Sequence, residues 1–78
     1  MDNERMSLVE CEDRAKDEGF DSATFEIVGP GGRMKAKWLD AYMGLFQIEG
    51  RDGFITTSDA KQQFRVLGLH CENFQANA

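Results

Sequence analysis

Hydrophobic and polar positions alternate along the chain on both sides of a four-residue break. Ala23, Phe25 and Ile27 are interleaved with Thr24, Glu26 and Val28, and Met34, Ala36 and Trp38 with Arg33, Lys35 and Lys37. A period of two is the mark of strands that bury one face. The Gly29-Pro30-Gly31-Gly32 break has the residues of a turn. With those four residues as the loop, Val28 falls opposite Arg33, Glu26 opposite Lys35, Ile27 opposite Met34, Phe25 opposite Ala36 and Ala23 opposite Trp38. One face is then apolar throughout, and the other matches acid with base. A third strand is predicted over residues 45–49, with Phe46 and Ile48 inward, after a bend at 40–44. Asp52-Gly53 predicts a hairpin turn into a short fourth strand at 54–56, and residues 69–74 read as a final edge strand.

At both ends the period becomes helical. Over residues 4–18, Leu8, Cys11 and Ala15 recur at i, i+3, i+7 as a narrow apolar stripe. Glu10, Asp13 and Asp17 have the same spacing on the opposite side, so this acidic row is expected to face water with Met6 beside it. Gly19 is a left-handed stop, and Phe20 is placed to pack back on the last turn. Thr57 or Ser58 reads as the N-cap of a second helix with Asp59 in its first turn. Its apolar face is Ala60, Phe64 and Leu67, and Gly68 ends it. The expected architecture is α+β: an N-terminal acidic helix, an antiparallel sheet of 3–5 strands and a short second helix near the C-terminus. It forms a single domain over residues 1–78 with a loose tail at 75–78 and no internal repeat or linker.

Charge sharpens this picture. Within the first 26 residues nine acids stand against three bases, a balance of −6, whereas six bases against five acids leave +1 in the remainder. The net −5 therefore sits at one end. Such a field attracts basic surfaces and repels nucleic acid. Glu10, Asp13 and Asp17 are expected roughly 5–6 Å apart along the helix, close to the spacing of phosphates on a nucleic-acid strand. Glu12, Glu18 and Asp21 add charge around them. The alternative is a plain solvated face with i, i+4 pairs such as Glu12–Lys16. Met6 and Tyr42, with Met43, are candidate apolar anchors for a partner.

Other chemistry is weaker. A chain of 78 residues supports one small core and leaves little room for an enclosed active site. His70 is the single histidine and has no nucleophile with a base-and-orienter context, so no catalytic residue is assigned and no enzyme is expected. Cys11, His70 and Cys71 lack the spacing of a zinc site, and neither a metal nor another cofactor is expected. Asp52-Gly53-Phe54-Ile55 with Asp59 resembles the second half of an EF-hand loop, but Ile48 and Gly50 fall where side-chain ligands are required. Arg33, Lys35 and Lys37 beside Trp38 and Tyr42 suggest single-strand nucleic-acid binding, which the alternation of Trp38 to the other face opposes. Cys11 and Cys71 read as reduced core thiols. The acidic start is unlike a signal peptide, and a cytoplasmic protein is expected.

In size and charge, with the Glu10/Asp13/Asp17 face as its sharpest feature, the chain resembles the small acidic anti-CRISPR and other host-defence inhibitors of phages and mobile elements. The resemblance implies a non-enzymatic inhibitor, in the bacterial host's cytosol, that presents acids to the lysines and arginines which hold DNA or guide RNA. The implied partner is a basic nucleic-acid-binding protein or CRISPR effector subunit, with no direct contact to nucleic acid or membrane, and the inhibitor is a monomer or homodimer. The alternative is a regulatory or assembly module that binds through its sheet edge or apolar bend without such mimicry.

Overall fold

The computed structural model describes residues 5–19 and 23–76, and the fold is α+β. Five strands, β1 (Thr24–Gly29), β2 (Gly32–Asp40), β3 (Leu45–Ile48), β4 (Ile55–Thr56) and β5 (His70–Gln75), form one sheet in the order β4-β3-β2-β1-β5. Every neighbouring pair is antiparallel. The expected hairpin register holds: Phe25 pairs with Ala36, Glu26 with Lys35, Ile27 with Met34 and Val28 with Arg33. Beyond the ladder, the Trp38 amide donates to the Ala23 carbonyl at 2.9 Å.

Alternation along these strands builds the core. Phe25, Trp38 and Phe46, one from each of β1, β2 and β3, are fully buried with ring centroids 5.3–5.6 Å apart. Trp38 stacks on Phe25 while Phe46 meets both edge-on, the arrangements that ring quadrupoles favour. Helices α1 (Leu8–Arg14) and α2 (Thr57–Leu67) add Leu8, Cys11, Ala60 and Phe64 to the same core. Both helices thus cover one face of the sheet and leave the other open.

The N-terminal helix is shorter than its pattern predicts, and its start is set by hydrogen bonding. Ser7 forms a capping box with Glu10: the Glu10 amide donates to Ser7 Oγ at 3.1 Å, and the Ser7 amide donates to Glu10 Oε1 at 2.8 Å. Met6 is extended, exchanging two backbone hydrogen bonds of 2.9 and 2.8 Å with Cys71. Its side chain is 7% exposed and belongs to the core, a correction to its expected place on the acidic face. After Arg14 the chain continues as a π-helical turn over Ala15–Gly19. Phe20, and with it the proposed packing on the helix end, lies outside the described residues.

Smaller departures have local causes. Thr56, not Thr57 or Ser58, caps α2: its side chain accepts from the Asp59 amide at 3.1 Å. Thr57 is buried, and its hydroxyl donates to the Gly44 carbonyl at 3.0 Å. Gly68 ends α2 at φ +68°, as expected. Leu67, one residue earlier, is 56% exposed because α2 runs past the edge of the core. Cys11 and Cys71 are buried, free and adjacent; the neighbouring Cys11 thiol and burial push Cys71 well above the usual thiol range. The Trp38 indole N–H faces Cys11 and finds no hydrogen-bond partner among the described residues.

Candidate functional site

The acidic row stands on the outer side of α1 and its π-helical extension. Glu10, Asp13 and Asp17 are exposed, but they are not equivalent. The Glu10 carboxylate is committed to the capping box, whereas those of Asp13 and Asp17 make no hydrogen bond or ion pair among the described residues. Glu18 pairs with Arg14 at 3.4 Å, and this i, i+4 pair forms in place of the expected Glu12–Lys16. The Arg14 guanidinium also sits 4.8 Å from the centroid of the Phe74 ring. Glu12 is half-buried and turned inward: a Cβ placed on Gly44 would lie 2.9 Å from its Oε2. Asp21 lies outside the described residues. The face is also less uniformly acidic than the sequence suggests, because Arg5 and Arg14 flank Glu10 and Asp13 around a shallow hollow.

Tyr42 and Met43 stand beside the C-terminal end of this helix, in the bend between β2 and β3. Asp40 builds that bend, its Oδ1 accepting from the amides of Tyr42 at 3.1 Å and Met43 at 3.2 Å. Gly44 closes it at φ +71°, and its carbonyl accepts from the Thr57 amide at 2.7 Å. The Tyr42 hydroxyl donates to the Lys16 carbonyl at 3.3 Å, inside the π-helical turn. With that bond Tyr42 remains 64% exposed, and Met43 is 70% exposed. The exposed Tyr42 is thereby joined to the π-helical turn that carries Asp17, with Met43 next to it in the bend. Sequence reasoning found Tyr42 but had no means of joining it to the helix, since that bond spans 26 residues and ends on a backbone carbonyl.

The open face of the sheet has a different character. Arg33 Nη1 lies 2.6 Å from Glu26 Oε1 and 3.3 Å from Glu72 Oε1. His70 Nε2 is 2.7 Å from Glu72 Oε2, and Asn73 Nδ2 donates to Glu26 Oε1 at 2.8 Å. Asn73, at φ +55°, occupies a bulge where β5 carries one residue more than β1 between the pairs Thr24–Gln75 and Glu26–Glu72. The bulge aims Asn73 at Glu26 and turns Phe74 toward the core. Glu72 is only 8% exposed. His70 above all, and then Arg33, hold its carboxyl below the usual range against the burial that raises it. Asn73 first and Arg33 second do the same for Glu26. Lys35, opposite Glu26 in register, is left without a carboxylate within salt-bridge distance among the described residues, and so is Lys37. Trp38 is buried on the other face and Tyr42 lies in the bend, so neither of these two aromatics accompanies the bases.

No family model, curated protein or solved structure matches this chain. Its own geometry therefore carries the functional reading. Among the described residues no group of three or more His, Cys, Asp or Glu side chains is placed to hold a metal ion. No helix there is long and apolar enough to cross a membrane.

Proposed function

We propose that this protein is a non-enzymatic inhibitor that binds a nucleic-acid-handling complex of the CRISPR effector type through the acidic end of α1, displacing nucleic acid from a basic surface. The observation that carries the reading is the Tyr42–Lys16 hydrogen bond, which joins an exposed aromatic to the π-helical turn that carries Asp17 and follows Asp13. Acids steer the encounter with a basic groove, whereas a desolvated aromatic and methionine supply affinity and selectivity that charge alone does not. The contact residues are Asp13, Asp17, Tyr42 and Met43, with Glu10 and Glu18 contributing field while serving the fold. The protein acts in the cytosol of a bacterial host, and its partner is a basic subunit that normally holds DNA or guide RNA.

The test is capture from bacterial lysate at low and high salt, comparing wild type with D13K/D17K and with Y42A/M43A. Glu10 is left intact because its reversal would break the helix cap as well as the charge. A nucleoprotein complex captured by wild type, released by salt and lost with D13K/D17K supports the proposal. Capture that survives salt and charge reversal but fails with Y42A/M43A favours the alternative of an apolar assembly module, whose bend is the same Tyr42–Met43 segment.

A further inference from the structure

We infer that the open face of the sheet carries a second site, a groove that binds a small phosphate-bearing anion between β1, β2 and β3. It lies in the layer opposite α1 and does not depend on the inhibitor reading. The groove encloses about 250 Å³ and is lined by Thr24, Lys35, Lys37, Gln47 and Glu49 over the backbone of Ala36. Lys35 and Lys37 project from the same face of β2, about 6.6 Å apart at a rise of about 3.3 Å per residue. Lys37 is flanked in register by Thr24 on one side and Gln47 on the other. Two ammonium groups with a hydroxyl and a carboxamide between neighbouring strands provide point charges and hydrogen-bond donors suited to phosphate oxygens.

The surroundings explain why these lysines are available. The nearest acid across the hairpin is Glu26, whose carboxylate is bonded to Arg33 and Asn73 and makes no salt bridge with Lys35. Glu49 is the one carboxylate in the lining, at the Lys35 end, where its amide donates to the Lys35 carbonyl at 2.8 Å. It sets the expected sign of one substitution. The small size of the groove and the net charge of −5 select a small anion over a nucleic-acid strand.

The test uses the full chain, labelled for amide NMR and titrated at constant ionic strength with inorganic phosphate, with a nucleoside monophosphate and with chloride. Saturable shifts confined to Thr24, residues 35–37 and Gln47 are expected with phosphate and absent with chloride. K35A and K37A should each weaken binding about tenfold, the loss of one charge-assisted contact. E49Q should tighten binding several-fold, and K61A on α2 should change nothing. Tighter binding of the monophosphate than of the free ion would identify an esterified ligand, and equal binding the phosphate group alone; both support the site. Equal shifts with chloride, shifts spread over Lys61 and Arg65, or unchanged binding by K35A and K37A would overturn it.

Discussion

On α1 and the π-helical turn after it, the exposed carboxylates of Asp13 and Asp17 make no hydrogen bond or ion pair among the described residues, while across the sheet Glu26 and Glu72 are gripped by Arg33, Asn73 and His70. Both surfaces are polar and both hold acids; the helix commits Glu10 to its cap and Glu18 to Arg14, while the sheet ties Glu26 and Glu72 into one network. The difference follows from the geometry of the elements. A strand residue has cross-strand neighbours about 5 Å away on two sides, so an acid in the middle of a sheet finds bases without extending far. A helix side chain reaches only residues three or four positions away, and its outer face has nothing else beside it. Beyond Glu10 and Glu18, the outward acids of the helix therefore have fewer bases within reach than the acids of the sheet.

The largest effect is expected where the two regions are joined. Gly44 ties the Tyr42–Met43 bend to Thr57, and a Cβ there would lie 2.9 Å from both Glu12 Oε2 and Thr57 Oγ1. Its φ of +71° adds a backbone penalty for any other residue. Gly44→Ala should cost about 2 kcal/mol or more in denaturant unfolding, above the roughly 1–2 kcal/mol of the left-handed conformation alone. It should also weaken partner capture, because the mount of Tyr42 is disturbed. A variant as stable as wild type would mean that the bend is not clamped in this way.

Next comes the network on the sheet. Glu72 and Glu26 have carboxyls held below the ordinary value of 4.5 in the folded protein. A depressed folded-state value stabilises the protein above the unfolded value, and the contribution is lost as pH falls through the folded one. Arg33→Ala should therefore lower the melting temperature by several degrees at pH 7. The gap from wild type should close as pH drops below 4.5 toward the depressed values. A gap that stays constant down to pH 2 would assign the loss to packing of the Arg33 stem instead.

A smaller change is expected at the cap. Ser7→Ala removes the side-chain acceptor for the Glu10 amide and should cost about 1 kcal/mol. The Ser7 amide still holds the Glu10 carboxylate, so that acid stays committed to the helix start and partner capture should be unchanged while stability falls.

How much of this was legible in the sequence divides along the same line. The β1–β2 register could be read because two alternating runs around one turn admit few pairings, and both faces agreed on one. The Leu8, Cys11 and Ala15 stripe and the Gly68 stop followed from local rules and hold. Met6 could not be placed, because its exchange with Cys71 joins segments 65 residues apart and overrides a continuous helical pattern. The Ser7-x-x-Glu10 cap was written in the sequence and would have set the helix start, had it been weighed above periodicity. Pairing by register assigned Glu26 to Lys35, but the carboxylate reaches diagonally to Arg33 because Asn73 draws it from the β5 side. Nothing local announces that bulge. The candidate site was half legible for the same reason: its acids are local in sequence, and its mount is a tertiary bond.

The smallest stability effect is the sharpest test of the contrast. Asp13→Asn and Asp17→Asn each delete one negative charge with little change of shape, as Glu72→Gln does on the sheet. On the helix the lost charge has no hydrogen-bonded partner among the described residues, and its nearest neighbours include other acids. Removing each charge relieves that repulsion and an unfavourable interaction with the negative end of the helix, and both contributions are small and screened in salt. Stability of the double variant D13N/D17N should stay within about 0.5 kcal/mol of wild type, the usual range for surface changes away from structural features. Glu72→Gln leaves Arg33 and His70 facing an amide in a site only 8% exposed, and it should destabilise measurably in the same assay. Partner capture should reverse the order, failing for D13N/D17N and persisting for the sheet variant at a temperature where it remains folded. Equal stability losses from the two variants would show that the helix acids belong to the fold after all, and their exposure would then carry no functional meaning.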